Sequence, residues 1–146
     1  MNAGKQFEKD FKASVLESQF FLRLPDGGGW SDGTNTRFTP SNLCDCILYT
    51  SGRLYLLELK SHAGKSIPAY CLSQAEKLSS IDKTGVFPSF VVNFRDLTET
   101  YVISAKNVMV ELSSRKSLGI EACRRLGKKI PQALKRVHWS YDLSSL

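Results

Sequence analysis

The sequence predicts an α/β fold with a mixed β-sheet core flanked by helices. Helical and strand-like patterns alternate along the chain in the order helix, strands, helix, strands, helices, which implies a mixed sheet covered by helices. A chain of 146 residues with 42% hydrophobic residues is long enough to fill one core. No run of about 18 or more apolar residues is present. We therefore expect one soluble domain over residues 1–146, with no membrane segment.

The first element is an amphipathic helix over residues 3–19, because Phe7, Phe11 and Val15 recur every four residues. Residues 20–24 then indicate a short strand. Residues 25–42 are polar, contain four glycines and show no periodicity, so we expect a long loop, a feature that is often functional. Trp30 in this loop is interpreted as an anchor to the body, with stacking on an exposed base as the alternative.

A β-hairpin is predicted next, from the apolar runs 43–50 and 53–60 and the two residues Ser51 and Gly52 between them. The second run is mostly apolar on both faces, which indicates a central strand.

The rest of the chain alternates between helices and strands. A helix is expected from about 69 to 81, strands at 87–94 and 100–104 with a turn at 96–98, and a helix capped by Ser104 through about Leu112. A basic helix follows within 118–129. Tyr101 and Trp139 are expected in the core or in a dimer interface.

The net charge of +6 lies entirely in a basic C-terminal segment, residues 115–146. Residues 1–114 hold 12 basic and 12 acidic residues, whereas the segment holds eight basic residues against Glu121 and Asp142. Such a segment suits a polyanion, and a solvated basic face without a partner is the alternative. The four cysteines lack zinc-ligand spacing and nothing in the sequence marks the chain as secreted, so we expect reduced thiols.

The hairpin brings together residues that could carry chemistry. If Ser51 and Gly52 form the turn, the numbers of cross-strand partners sum to 103, which places Asp45 opposite Glu58. Two like charges so placed repel each other and need compensation. Lys60 shares the face of Glu58 because side chains alternate along a strand.

A hard divalent cation is the simplest compensation, and Mg²⁺ or Mn²⁺ between Asp45 and Glu58 would polarise a phosphodiester. Lys60 would steady the attacking water or the developing negative charge. Gln74, about one turn into the next helix, would reach the same edge of the sheet. The alternative is a solvated rim where Lys60 is a simple salt-bridge partner of the two acids.

Several segments resemble the RecU family of Holliday junction resolvases. They are residues 2–8, 39–45, the strand end 57–60 with its Glu-x-Lys, residues 64–68, and Gln74. That family belongs to the restriction-endonuclease-like PD-(D/E)xK nucleases. The resemblance implies that the chain is a Mg²⁺-dependent homodimeric endonuclease that resolves four-way or other branched DNA by symmetric phosphodiester hydrolysis, in recombination and repair. It also implies that Asp45 and Glu58 bind metal, that Lys60 is catalytic, and that Glu8 and Gln74 complete the site.

The bacterial proteins of that family carry a long stalk where this chain has the short, glycine-rich stretch 25–40. We therefore expect a compact, phage-like member acting in the cytoplasm of a bacterial or phage-infected cell. Two alternatives remain open, a restriction- or repair-like nuclease on linear duplex DNA and a non-catalytic DNA-binding protein of the same fold. The residues expected to contact DNA are basic, and each could equally be a surface charge: Arg37, Lys65, Arg124, Arg125, Lys128 and Lys129.

Overall fold

The structure is a computed structural model that describes residues 1–25 and 42–146, so Trp30 and Arg37 lie outside the described residues. Its main strands are β1 (Phe20–Arg23), β2 (Cys46–Thr50), β3 (Arg53–His62), β5 (Val86–Phe94), β6 (Glu99–Ser104) and β8 (Lys128–Lys129). Within the described residues they form a six-stranded mixed sheet in the order β1-β2-β3-β5-β6-β8. β3 and β5 are parallel and the other neighbours are antiparallel.

Four helices and two small sheets accompany the main sheet in this described part. The helices are α1 (Ala3–Ala13), α2 (Ala75–Ser79), α3 (Ala105–Leu112) and α4 (Ile120–Leu126). The small sheets pair β4 (Ser66–Pro68) with β7 (Ser117–Gly119) and β9 (Gln132–Lys135) with β10 (His138–Tyr141). Short 3-10 turns lie at Ala69–Leu72, Arg95–Leu97 and Leu143–Ser145. No helix in the described residues is long and apolar enough to cross a membrane.

The side chains of alternate strand residues build a core on each face of the sheet. On one face, Phe7 and Phe11 of α1 pack with Leu57 and Leu59 of β3 and with the C-terminal Leu143. On the other face, the apolar residues of α2, α3 and α4 pack with alternate residues of β5 and β6. The predicted arrangement of a sheet covered by helices on both sides is therefore confirmed.

The predicted hairpin has the expected register. Ser51 and Gly52 have φ values of 51° and 77°, and the turn pairs Thr50 with Arg53. Positive φ at both turn positions matches the right-handed twist of the flanking strands. β3 lies between β2 and β5, which confirms its prediction as a central strand.

Three helix boundaries differ from the prediction. α1 ends at Ala13, where the Ser14 side chain bonds back to the Asp10 carbonyl, instead of continuing to residue 19. The helix expected over 69–81 is divided into a 3-10 turn at Ala69–Leu72 and α2 at Ala75–Ser79. The basic helix is limited to α4, since β7 and β8 flank it.

Candidate active site

Asp45 lies where β2 leaves regular pairing with β3. The ladder ends at the pair Cys46–Leu57, and the Asp45 N–H donates a 3.0 Å hydrogen bond to the Leu57 carbonyl. Asp45 and Cys46 thus both lie against Leu57, as in a β-bulge, so Asp45 is not the ladder partner of Glu58 that the turn arithmetic predicted. Its Oδ2 instead accepts a 2.8 Å hydrogen bond from the N–H of Leu59. The carboxylate is therefore held beside Glu58 by a backbone anchor.

Glu58 and Lys60 share one face of β3, two residues apart, as strand geometry requires. Glu58 is buried, with 7% of its surface exposed, while the Lys60 side chain is 30% exposed. The Lys60 Nζ lies 3.1 Å from the Glu58 Oε1. The alternative of a solvated rim fits the partly exposed lysine but not the buried glutamate.

The surroundings of Glu58 make its charge costly. Burial raises the pKa of Glu58 above its ordinary value, and the negative charge of Asp45 raises it further. The charge and hydrogen bond of Lys60 act in the opposite direction, and Glu8 adds a smaller rise. A positive charge brought into this site would therefore favour the ionised form of Glu58.

Glu8 reaches the same region from α1 and is paired with Arg23 of β1. The Arg23 Nη2 lies 3.0 Å from the Glu8 Oε2, and its Nε donates to the same oxygen at 3.1 Å. The Arg23 guanidinium also donates to the carbonyl of Asp45 at 3.5 Å. Arg23 thus links Glu8 to the backbone of Asp45. Sequence analysis missed Arg23, and its place at the end of β1 gave no local signal.

Gln74 lies immediately before α2 rather than inside a longer helix. Its Nε2 donates a 3.4 Å hydrogen bond to the carbonyl of Asn42, three residues before Asp45. Gln74 therefore contacts the chain that leads into the candidate site.

The carboxylates of Asp45 and Glu58 are the candidate ligands for a divalent cation. Among the described residues, no group of three or more His, Cys, Asp or Glu side chains could hold a metal ion. Within residues 1–25 and 42–146, the Asp45 carboxylate accepts the Leu59 N–H through Oδ2, and the Glu58 carboxylate contacts Lys60 through Oε1. Mg²⁺ commonly takes one or two protein carboxylates and completes its shell with water and substrate phosphate. Two carboxylates are thus the kind of ligand that Mg²⁺ or Mn²⁺ takes, and their use as metal ligands here stays a prediction.

The cysteines next to the site are not equipped as nucleophiles. All four cysteines of the chain are free, and Cys44 and Cys46 are buried. Burial raises the pKa of the Cys44 thiol to about 11, helped by the charges of Glu58 and Asp45. These thiols are protonated near neutral pH, and the thiolate is the reactive form.

The basic residues of α4 are engaged in ion pairs within the chain. Arg124 lies 2.9 Å from the Glu99 carboxylate and 2.7 Å from that of Glu121. Arg125 lies 3.2 Å from the carboxylate of Glu111. The positive charges of Arg124 and Arg125, two of the six residues expected to contact DNA, are therefore compensated by carboxylates of the same chain.

The other lysines proposed from sequence lie in three different settings. Lys128 donates a hydrogen bond to the carbonyl of Ser145, and Lys129 is exposed on β8. Lys65 lines a polar cleft of about 510 Å³ together with Arg115 and Arg125. Of these three lysines, Lys65 and Lys129 are thus the most accessible to a phosphate.

The ion pair between Glu99 and Arg124 leads to a pH prediction. Hydrogen bonds from Arg124 and Tyr101 lower the pKa of Glu99 from 4.5 to about 2. A carboxyl group with a lowered pKa stabilises the fold above its unfolded pKa, and this contribution is lost as the pH falls from 4.5 toward 2. We expect the urea midpoint to fall between about pH 5 and about pH 3 by less in Glu99→Gln than in the wild type. Equal decreases in both proteins would contradict this role.

Comparison with known proteins supports the fold. No protein-family model matches the chain. The chain is 24% identical to the SPbeta prophage-derived uncharacterized protein YotM of Bacillus subtilis, in a match that covers 99% of this chain and 85% of that protein. The solved structure of Hjc, a Holliday junction resolvase from Archaeoglobus fulgidus, matches 86% of this chain and 95% of its own, with a TM-score of 0.57 and 13% identity. The fold class predicted from sequence is therefore confirmed.

Proposed function

We propose that this protein is a divalent-metal-dependent endonuclease that cuts branched DNA, with four-way junctions as its substrate. The convergence of Asp45, Glu58 and Lys60 carries the proposal, because two carboxylates and a lysine at one point suit phosphodiester hydrolysis. The fold shared with a protein named as a Holliday junction resolvase supports the substrate. The resemblance of residues 39–45 and 57–60 to RecU proteins supports it further, and the prophage relative favours a phage-derived role in recombination or repair in the cytoplasm.

Each residue of the site has a distinct task in this proposal. Asp45 and Glu58 would hold the cation, which when bound would polarise the scissile phosphate and acidify water. Lys60, whose Nζ lies 3.1 Å from Glu58, would orient the attacking water and offset negative charge that develops on the phosphate. Glu8 completes the acidic site while Arg23 fixes its position. Gln74 holds the chain before Asp45 in place.

Symmetric cleavage requires two such sites. A four-way junction is resolved by one cut in each of two strands, and a homodimer with twofold symmetry presents two equivalent sites to those strands. We therefore propose that the working form is a homodimer.

The proposal is tested by incubating the protein with Mg²⁺ and either a fixed four-way junction or a linear duplex of the same sequence. We expect paired, symmetric cuts in the junction, none in the duplex, and no cutting of either after EDTA is added. Equal cutting of both substrates would replace this proposal with a duplex nuclease. Binding without cutting in either Mg²⁺ or Mn²⁺ would indicate a non-catalytic DNA-binding protein.

A further inference from the structure

The β9–β10 hairpin stands apart from the main sheet but is firmly fixed at its base. The N–H of Trp139 donates a 3.2 Å hydrogen bond to the Asp10 carboxylate, and the N–H of Tyr141 donates at 3.0 Å to the Ser14 hydroxyl. The ring of Tyr141 packs edge-on against that of Phe7, with 5.4 Å between centroids. These contacts attach strand β10 to α1.

The tip of the hairpin combines exposure with an unfavourable backbone conformation. Lys135 pairs with His138, so Arg136 and Val137 form the turn, and Val137 is 92% exposed. Arg136 has φ of 57°, a left-handed conformation that suits glycine and is uncommon for residues with a Cβ. Arginine is therefore present at a turn position where glycine would serve the backbone better.

The charges at this tip are available to a partner, unlike those of α4. Within the described ranges 1–25 and 42–146, no ion pair involves Lys135 or Arg136, whereas Arg124 and Arg125 are bound to carboxylates. A cation without an internal partner gains more from a phosphate than one that is already neutralised. Lys135 and Arg136 are thus better placed to bind a polyanion than the arginines of α4.

The hairpin also borders the strand that carries the catalytic lysine. Trp139 of β10 and Ser61 of β3 line one cleft of about 210 Å³, together with Arg95. Ser61 directly follows Lys60, although its side chain lies on the opposite face of the strand. The hairpin therefore lies beside the end of β3, on the face of the sheet that α1 covers.

We propose that the β9–β10 hairpin is a DNA-binding arm in which Lys135 and Arg136 bind backbone phosphates of a duplex arm of the substrate. A two-stranded β-ribbon has dimensions that fit the major groove, and Val137 at the tip provides an apolar contact there. This inference rests on the proposed function, since it assigns a substrate-binding surface to the same nuclease.

The experiment compares the wild type with two double variants of equal charge loss. Lys135→Ala combined with Arg136→Gly changes the tip and suits the positive φ. Lys77→Ala combined with Lys83→Ala removes two exposed lysines from α2 and the turn after it, on the opposite face of the sheet. Binding to a fixed four-way junction is measured in EDTA over a range of salt concentrations. We expect the tip variant to bind at least about 10-fold more weakly at ~0.1 M salt, with a salt slope smaller by about 2.

The melting temperature of the tip variant should equal or exceed that of the wild type, because glycine relieves the strain at position 136. An unchanged affinity and salt slope in the tip variant, with junction cleavage intact in the wild type, would overturn the inference and leave the proposed function standing. An equal loss of affinity in the α2 variant would also overturn it, since the effect would then be one of net charge. A wild-type protein that binds no DNA would overturn both proposals.

Discussion

Asp45→Asn is expected to reduce the single-turnover cleavage rate of a four-way junction by about 10³-fold, with Mg²⁺ present and protein in excess. The amide oxygen of asparagine can still accept the hydrogen bond from the Leu59 N–H that anchors the aspartate at 2.8 Å. The end of β3 therefore keeps its geometry while the site loses one negative charge. Junction binding, measured by gel shift in EDTA, should change little, because phosphate contacts elsewhere supply most of the affinity.

Asp96→Asn is a matched control, since the Asp96 carboxylate also accepts a backbone hydrogen bond, from the Gly64 N–H at 2.8 Å. Its cleavage rate should remain close to that of the wild type. Lys60→Ala should behave like Asp45→Asn, because the ammonium group lies 3.1 Å from Glu58 in the same site. Wild-type cleavage by both Asp45→Asn and Lys60→Ala would show that the catalytic site lies elsewhere.

Phe11→Ala is expected to lower the free energy of unfolding by about 3–5 kcal/mol, the usual range for truncating a fully buried aromatic residue. Phe11 is completely buried between α1 and the sheet, and its ring lies 6.1 Å from that of Phe7 and 6.4 Å from that of Tyr141. Its removal leaves a cavity where α1, β3 and the end of the chain meet. The measurement is urea unfolding at one fixed protein concentration, because dimer formation would make stability depend on concentration.

Tyr70→Ala provides the comparison, since it truncates an aromatic residue that is 82% exposed. Its effect should stay within about 0.5 kcal/mol. α1 also carries Glu8, so Phe11→Ala should lower cleavage activity at temperatures well below its melting point. A loss of less than about 1 kcal/mol would mean that α1 contributes little to the core.

The buried acid of the candidate site is costly to the fold. Burial and the charge of Asp45 both disfavour the ionised form of Glu58, and Lys60 acts in the opposite direction. A purely structural role would favour an apolar residue at this position on β3, as at its neighbours Leu57 and Leu59. A costly carboxylate beside a second one supports the divalent-cation site proposed above.

The sequence determined those features that depend on contacts between near neighbours. Ser51 and Gly52 define a two-residue turn, and that turn sets the register of the five residue pairs between β2 and β3. Ser104 caps α3 by accepting the N–H of Asn107 within one turn. Glu58 and Lys60 share a face because alternation is a property of any strand. The shared face of Glu58 and Lys60 could therefore be predicted without a structure.

Features that depend on contacts between distant segments could not be predicted from the sequence. The bulge that turns Asp45 from Glu58 toward the Leu59 N–H, and the pairing of Glu8 with Arg23, need segments that meet only in the folded chain. Pairing of β4 with β7 joins residues about 50 positions apart and holds the chain extended just before the helix expected over 69–81. The β9–β10 hairpin has a two-residue turn without glycine, and its base is fixed by α1, more than 120 residues earlier. Local preferences extend over a few residues, whereas these contacts are selected by packing across the whole sheet.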